Sequence, residues 1–273
     1  MEAYTDFASV YDLFMEDVPY EEWAQRIVRL IDEHDRKQVP DGDEVLASEA
    51  GLMVDLGCGT GVMTALLREH GFDMIGIDSS IEMLEKARTR VNTGDGDDAL
   101  FLCQDMRELE LYSTVGTVIS VCDCINYLLE ESDILDTFKL VENYLYPGGL
   151  FIFDFNTIHK YRDVIGDATI AENREEGSFI WENYFDEETG INEYDLTLYV
   201  KDNSEDGMER FVRSQETHTQ RGYEATDIEK LIKEAGLELV LMLDADTDTD
   251  ESVEIDTERV LVVARKQRET WTE

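Results

Sequence analysis

A glycine-rich segment after a short apolar run is the first set of residues whose spacing suits chemistry. It reads VDLGCGTG from Val54 to Gly61, between a predicted strand and a predicted helix. Glycines at such a turn let the backbone contact a ligand where a Cβ atom would clash. A dinucleotide site has the spacing G-x-G-x-x-G and binds a pyrophosphate at the helix N-terminus. Here the spacing is G-x-G-x-G, and Asp55 beside it favours a cationic ligand.

Polar side chains also end the next two predicted strands. Asp78 ends the second strand, where a carboxylate can accept hydrogen bonds from both ribose hydroxyls. Asp105 and Met106 end the third, where an acceptor can bind the exocyclic amine of adenine and an apolar neighbour can pack on the ring. Open α/β sheets bind ligands at this edge. The three positions together predict S-adenosylmethionine; the alternative is a tight turn with solvated aspartates.

Histidine and cysteine supply the candidates for proton transfer and nucleophilic attack. His218 is the best candidate base, because it shares a strand face with Glu216, which can orient it; the alternative is an exposed or packing histidine. Cys122 and Cys124 flank Asp123, but a nucleophilic thiol needs activation and no cation lies nearby in sequence. We therefore interpret them as packed thiols. Residues predicted to contact an acceptor are Asn126, Tyr127 and Tyr223.

An acidic run from Asp244 to Glu251 resembles the start of a calcium-binding loop. If Asp244 is position one, position six is Thr249 and position twelve is Ile255, where a calcium loop requires glycine and glutamate. We interpret this run as an acidic hairpin loop and predict no metal site.

The elements that must position these residues alternate between strands and helices, which predicts βαβ units and a parallel sheet. Strands are predicted at 52–56, 72–77, 99–103, 115–121 and 150–155, and helices at 62–70, 80–91 and 134–145, the last ended by Pro147 and two glycines. Two helices precede them within 4–35, followed by a polar loop. Three alternating runs within 178–219 predict an antiparallel meander. A helix at 227–235 leads to strands 237–243 and 259–264, predicted to be antiparallel neighbours.

VDLGCGTG, GIDSS with Met83 downstream, and CQDMRE resemble the sequential motifs of class I S-adenosylmethionine-dependent methyltransferases. The opening YTDFASVYD resembles a bacterial subgroup that begins Y-x-x-F-A-x-x-Y-D and carries a β insert before the last helix. The resemblance implies a Rossmann-like, doubly wound α/β fold whose seven-stranded sheet has its last strand antiparallel. We divide the chain into a helical cap (1–50), a cofactor-binding core (51–170 and 224–268) and the β insert (177–222), which serves as lid, acceptor site or dimer contact.

The resemblance also implies roles for matching residues. The glycine loop would line the methionine part of S-adenosylmethionine, Asp78 would hold the ribose, and residues after the third and fourth strands would border the adenine and the methyl group. Two N-terminal tyrosines would close over the cofactor. The implied cofactor-binding set is Tyr4, Tyr11, Asp55, Gly57, Cys58, Gly59, Asp78, Ser79, Met83, Asp105, Met106, Cys122 and Asp123.

The composition of the chain limits the classes of molecule that it is expected to bind. The chain has 64 acidic and 23 basic residues and a formal charge of −41, which disfavours nucleic acid and anionic lipid. No apolar run is long enough to span a membrane, no signal peptide is evident, and the four cysteines lack a disulfide-like pattern, so we expect a cytoplasmic protein.

We predict methyl transfer to N or O of a small-molecule acceptor. Alternatives are methylation of RNA or a ribosome-associated protein, through arginines near the insert, or a non-catalytic S-adenosylmethionine-binding module. A homodimer through the insert is a further prediction.

Overall fold

The computed structural model describes residues 11–39, 43–92, 98–202, 210–247 and 249–267. Its centre is a seven-stranded sheet with the order β10-β11-β5-β4-β1-β2-β3. Every neighbouring pair from β5 to β3 is parallel, whereas β11 runs antiparallel to both β5 and β10. The strands are β1 (Leu52–Leu56), β2 (Asp73–Asp78), β3 (Leu100–Cys103), β4 (Val115–Ser120), β5 (Leu145–Asn156), β10 (Leu237–Asp244) and β11 (Arg259–Lys266). The predicted fold class and the antiparallel last strand are confirmed.

Helices cover both faces of this sheet because each has one apolar stripe. One face is covered by α2 (Tyr20–His34), α4 (Val62–Glu69) and α5 (Ile81–Val91), and the other by α6 (Glu131–Tyr144) and α7 (Ala225–Glu234). In α2 the buried residues recur at helical spacing: Ala24, Ile27, Leu30 and Ile31. Two short helices, α1 (Tyr11–Phe14) and α3 (Glu44–Gly51), complete the N-terminal part.

The β insert is a four-stranded antiparallel sheet with the order β6-β7-β8-β9. Its strands are β6 (Thr169–Asn173), β7 (Gly177–Asp186), β8 (Ile191–Lys201) and β9 (Phe211–Arg221). The sequence predicted only the last three. The edge strand β6 was missed because it is short and largely polar, so pairing with the backbone of β7 fixes its conformation, with little apolar patterning.

Two further elements differ from the sequence-based expectation. The predicted polar loop contains α3, whose first turn is capped by Asp43: its carboxylate accepts from the Leu46 amide at 3.1 Å. Strand β5 begins at Leu145 and includes Pro147 and the two glycines that were expected to end the preceding helix. The Leu145 backbone is already extended, so α6 ends at Tyr144 and the chain enters the sheet directly.

Candidate active site

The glycine loop joins β1 to α4 at the carboxyl edge of the sheet. Gly57, Gly59 and Gly61 all have positive φ angles, as a chain reversal this tight requires. The Gly57 and Cys58 amides both donate to the Ile77 carbonyl, at 2.8 and 2.9 Å. A Cβ atom on Gly57 would lie 2.6 Å from the Cys124 sulfur. Glycine at this position thus lets the loop lie against the segment that follows β4.

Asp78 fixes the loop to the end of β2. One carboxylate oxygen accepts from the Gly59 amide at 2.9 Å and the other from the Ser80 amide at 2.8 Å. Burial raises the pKa of Asp78, and these two hydrogen bonds oppose the rise. The next turn is a helix cap, in which the Ser80 hydroxyl accepts from the Met83 amide at 3.2 Å.

Asp55 lies beneath the loop and is 2% exposed. Its carboxylate accepts a hydrogen bond of 2.5 Å from the Thr64 hydroxyl on α4. Burial raises the pKa of Asp55 to about 7, with the Asp78 charge contributing in the same direction. The carboxyl group therefore changes its charge near neutral pH.

Asp105 and Met106 follow β3 and face the same cavity. The Asp105 carboxylate pairs with Arg107, with 2.5 Å between Oδ2 and Nη2, and this hydrogen bond lowers the pKa of Asp105. Arg107 also reaches Asp133 on α6, at 3.4 Å. By pairing with both carboxylates, Arg107 links the end of β3 to the start of α6.

The turn after β4 has a left-handed backbone at two consecutive residues, Cys122 and Asp123, with φ angles of 65° and 52°. Such a conformation strains non-glycine residues and needs support. Asp154 on β5 supplies it, because its carboxylate accepts from both amides, at 3.1 and 2.7 Å. Arg259 lies 3.4 Å from Asp154 and stacks 4.1 Å from the Trp23 ring centroid. Burial raises the pKa of the Cys122 and Cys124 thiols, which argues against a nucleophilic thiolate.

These strand ends enclose a cavity of about 820 Å³, within the range of about 300–1,000 Å³ found for small-molecule sites. Most residues that the sequence assigned to the cofactor lie along its wall. Those residues are Tyr11, Asp55, Gly57, Cys58, Gly59, Asp78, Ser79, Met83, Asp105, Met106 and Cys122.

A family model described as "Methyltransferase domain" matches residues 53–149. YqeM of Bacillus subtilis, which is named as a methyltransferase without a stated acceptor, is 34% identical over 237 residues, 86% of this chain and 87% of YqeM. A solved S-adenosylmethionine-dependent methyltransferase from Clostridium acetobutylicum superposes with a TM-score of 0.81 at 28% identity, covering 97% of this chain and 100% of that one.

This chain belongs to the S-adenosylmethionine-dependent methyltransferases. S-Adenosyl-L-methionine is its methyl donor, and the residues present fit it: glycines allow close approach, and carboxylates and methionines face the cavity. A further relative, a Streptomyces venezuelae N,N-dimethyltransferase of a dTDP-amino sugar, is 28% identical over 151 residues, 55% of this chain and 56% of that one.

Several residues assigned to the methyltransferase site from sequence lie elsewhere. Asp123 is absent from the cavity wall; its carboxylate accepts from the Gln220 amide nitrogen at 2.5 Å, and burial raises its pKa to about 6. Asn126 is fully buried and donates to the carbonyls of Asn156 and Arg221, so it joins β5 and β9. The buried Tyr223 hydroxyl donates to the Leu128 carbonyl. Tyr4 lies outside the described residues.

The side chains of Glu216 and His218 meet as their strand alternation predicted, with 3.3 Å between Oε2 and Nε2. Both are buried, and neither is among the residues that line the methyltransferase cavity. Its other nitrogen, Nδ1, lies 3.1 Å from the hydroxyl of Tyr127, which does line it. Tyr127 is thus the one predicted acceptor-contacting residue at the wall.

The sequence-based site omits several wall residues, including Thr60, Glu82, Gln104, Arg107 and Glu130. Thr60, Gln104 and Arg107 adjoin recognised motifs, so their position was the available signal. Tyr20 on α2 also lines the wall; its aromatic side chain suited either core packing or an acceptor pocket, and sequence did not decide between them.

Helix α1 of the methyltransferase connects the glycine loop to the β insert. Asp12 accepts from the Thr60 hydroxyl and pairs with Arg90 on α5, both at 2.6 Å. Phe14 packs edge-on against Phe179 of β7, with 4.9 Å between ring centroids. Tyr11, between these contacts and the cavity, therefore closes one side of the site.

Within the described parts of the chain, no group of three or more His, Cys, Asp or Glu side chains is placed to hold a metal ion. The acidic run instead makes protein contacts: Asp250 pairs with Arg29 at 2.6 Å, and Asp246 pairs with Arg259 at 2.9 Å. No helix among the described residues has the length and apolar character needed to cross a membrane.

Proposed function

We propose that the enzyme methylates nitrogen or oxygen of a small neutral or cationic molecule that binds beside the cofactor in the 820 Å³ cavity. The observation that carries this proposal is the charge of the wall. Among the described wall residues, six carboxylates face one arginine, which already pairs with two of them. The carboxylates are Asp55, Asp78, Glu82, Asp105, Glu130 and Asp133. An excess of negative charge favours a cationic donor and disfavours an anionic acceptor.

We assign the cofactor to the wall by the chemistry of each strand end. Asp78 accepts from the ribose hydroxyls, Asp105 and Met106 receive the adenine amine and ring, and the backbone from Gly57 to Gly59 borders the methionine part. Tyr11 covers the cofactor from α1, where its ring can face the sulfonium. The acceptor then approaches from the side of Cys122 and Tyr127, since the other walls hold the cofactor.

The bound cofactor supplies an electrophilic methyl group. A nitrogen or oxygen lone pair of the acceptor forms the new bond to carbon while the carbon–sulfur pair returns to sulfur. An amine or hydroxyl acceptor also gives up a proton. Alignment of donor and acceptor in a closed cavity contributes much of the rate.

Two of the arginines near the insert, Arg162 and Arg174, already pair with carboxylates. Arg162 pairs with Asp163 at 2.6 Å, and Arg174 pairs with Glu16 at 2.7 Å and with two further carboxylates. The Arg221 guanidinium donates to the Leu129 carbonyl at 2.8 Å. These contacts support a small acceptor over RNA or a ribosome-associated protein.

The test combines calorimetry with labelled transfer. Titration with S-adenosylmethionine and S-adenosylhomocysteine measures cofactor binding, and methyl-labelled cofactor is then incubated with a deproteinised cell extract or with total RNA. We expect label in the small-molecule fraction, identified by mass spectrometry. Asp78→Ala should bind the cofactor more weakly than wild type, whereas Asp136→Ala, at an exposed position on α6, should keep wild-type affinity. Label in RNA alone, or equal binding by both variants, would overturn the proposal.

We also propose a cytoplasmic location and a homodimer through the β insert. All four cysteines are free thiols, which supports a reducing compartment. The insert exposes four large apolar side chains, Ile170, Tyr184, Phe211 and Val212, and this exposure supports a partner contact on the sheet. Light scattering of the eluted protein tests the dimer; a monomeric mass at all concentrations would refute it.

A further inference from the structure

A connected set of buried polar side chains lies between the cavity and the β insert. Tyr127, in the turn after β4, lines the cavity, and its hydroxyl lies 3.1 Å from His218 Nδ1 and 3.1 Å from the Tyr194 hydroxyl. On the far side, His218 Nε2 lies 3.3 Å from Glu216 Oε2. His218 is 1% exposed and Glu216 2% exposed. A continuous path therefore runs from the cavity wall to a buried carboxylate.

Packing alone does not account for a glutamate and a histidine at these positions. Burial of an ionisable pair is costly, and apolar side chains of similar volume often replace such pairs without loss of stability. The same sheet has such side chains nearby: Leu196, directly opposite Glu216, and Leu198 are buried and apolar. A role in chemistry would explain why this pair interrupts the apolar surface.

The neighbours of His218 favour one position for its ring proton. A carboxylate beside Nε2 favours the tautomer in which Nε2 carries the proton, which leaves the Nδ1 lone pair to accept from Tyr127. Because the single Tyr127 proton points to His218, the Tyr194 hydroxyl donates to the Tyr127 oxygen. Tyr127 also lines the cavity, where a bound acceptor can meet its oxygen. Tyr194 stacks on the His218 ring at 4.8 Å and holds its plane.

We propose that Tyr127, His218 and Glu216 form a proton relay that deprotonates the acceptor during methyl transfer. The inference rests on the proposed function, because it concerns the same cavity. The acceptor atom forms its bond to the methyl carbon and releases its proton to the Tyr127 oxygen. Tyr127 passes its own proton to His218 Nδ1, and Glu216 stabilises the resulting imidazolium. The electron pair of the broken carbon–sulfur bond stays on sulfur, so no oxidant or reductant is needed.

Tyr127 is the catalytic residue in this relay, His218 receives its proton, and Glu216 orients His218. The charged and titratable groups around His218 come from several elements: Glu216 on β9, Tyr194 on β8, Tyr127 after β4, and Asp123 in the same turn. Burial raises the pKa of Tyr194, which keeps it protonated as a donor to Tyr127. Asp123 accepts from Gln220, two residues beyond His218, so its carboxylate belongs to the same electrostatic environment.

The first measurement needs no acceptor. Nitrogen NMR of histidine-labelled protein bound to S-adenosylhomocysteine reports the tautomer of His218, which His218→Gln identifies among the four histidines. We expect an Nε2–H tautomer whose Nδ1 resonance moves in Tyr127→Phe and stays unchanged in Tyr146→Phe. Tyr146 is a matched control because its buried hydroxyl donates to the Gln38 carbonyl, away from the cavity. An Nδ1–H tautomer would overturn the relay.

The second measurement follows label transfer from methyl-labelled S-adenosylmethionine to the deproteinised extract across pH. We expect Tyr127→Phe, His218→Gln and Glu216→Gln each to lower the rate by about 100-fold, the lower end for general-base catalysis. Affinity for S-adenosylhomocysteine should stay within about threefold of wild type, a small free-energy change. His159→Gln is the histidine control, since His159 pairs with Asp163 outside the cavity.

The pH profile separates the relay from a structural role. The relay needs the Nδ1 lone pair of His218, so the wild-type rate should be lower in acid, and this part of the pH dependence should vanish in His218→Gln. Transfer by His218→Gln within about threefold of wild type would overturn the relay. If His218→Gln does not bind S-adenosylhomocysteine, the rate of Glu216→Gln is used instead: a rate within about threefold of wild type would then overturn the relay. Absence of label with the wild type refutes the proposed function, and the tautomer still decides the relay.

Discussion

Asp55→Asn should stabilise the cofactor-free methyltransferase at alkaline pH and leave it nearly unchanged in acid. Burial raises the pKa of Asp55 from its ordinary 3.8 to about 7 in the folded protein. Between these pH values the unfolded chain loses the proton while the folded chain keeps it, so stability falls as pH rises. Each pKa unit corresponds to about 1.4 kcal/mol, so above pH 7 the charged carboxylate lowers the free energy of unfolding by up to about 4 kcal/mol.

Asparagine removes this charge and keeps the shape and the acceptor that Thr64 uses. Thermal unfolding of the cofactor-free protein at about pH 4.5 and about pH 8.5, at fixed ionic strength, provides the assay. The variant should gain roughly 10 °C at the higher pH, given about 2–4 °C per kcal/mol for a chain of this size. Asp32→Asn, at an exposed position on α2, controls for the loss of one negative charge.

The reasoning is refuted if Asp55→Asn and wild type differ equally at both pH values, because the pKa shift requires a difference that grows with pH. A variant that is less stable at about pH 8.5 would refute it as well, since the Asp55 charge would then stabilise the fold.

Three other substitutions test the site. Asp78→Ala leaves two loop amides without an acceptor and removes the proposed ribose ligand, so calorimetry should show affinity for S-adenosylhomocysteine reduced about 10- to 100-fold, with the circular dichroism spectrum preserved. Gly57→Ala places a Cβ atom 2.6 Å from the Cys124 sulfur at a φ of +82°, and should lower stability by about 1–3 kcal/mol; adding Cys124→Ala should restore only the part due to the contact. Asp154→Asn removes one of the two acceptors for the Cys122 and Asp123 amides, while Arg259 keeps its pair with Asp246, so the free energy of unfolding in urea should fall by about 1–3 kcal/mol; an unchanged midpoint would contradict the support that Asp154 gives to the turn after β4.

Much of the cavity wall could be predicted from sequence, because its residues lie at fixed positions relative to strand ends. An apolar run followed by a glycine or a carboxylate predicts that this residue lies at the carboxyl edge of a parallel sheet. Asp55, Asp78 and Asp105 follow this rule and all line the cavity. The same local reasoning placed Glu216 and His218 on one face of a strand, where they meet.

The positions of residues further along the chain from those strand ends depend on tertiary packing. Asp123 adjoins the cavity in sequence, but two left-handed residues turn its carboxylate toward Gln220. Asn126 looked like an acceptor contact and instead joins β5 to β9. Edge strand β6 depends on its pairing with β7 more than on its own apolar pattern.

Periodicity and motif spacing are local properties of the chain, so they were enough to predict the fold class, the methyl donor and most of the residues that line the cavity. His218 and Tyr127 are 91 residues apart in sequence, and their contact, which connects His218 to the cavity, is visible only in the folded structure. That contact depends on how the β insert packs against the turn after β4. The relative position of two packed elements is a sum of many distant contacts, and no local pattern records it.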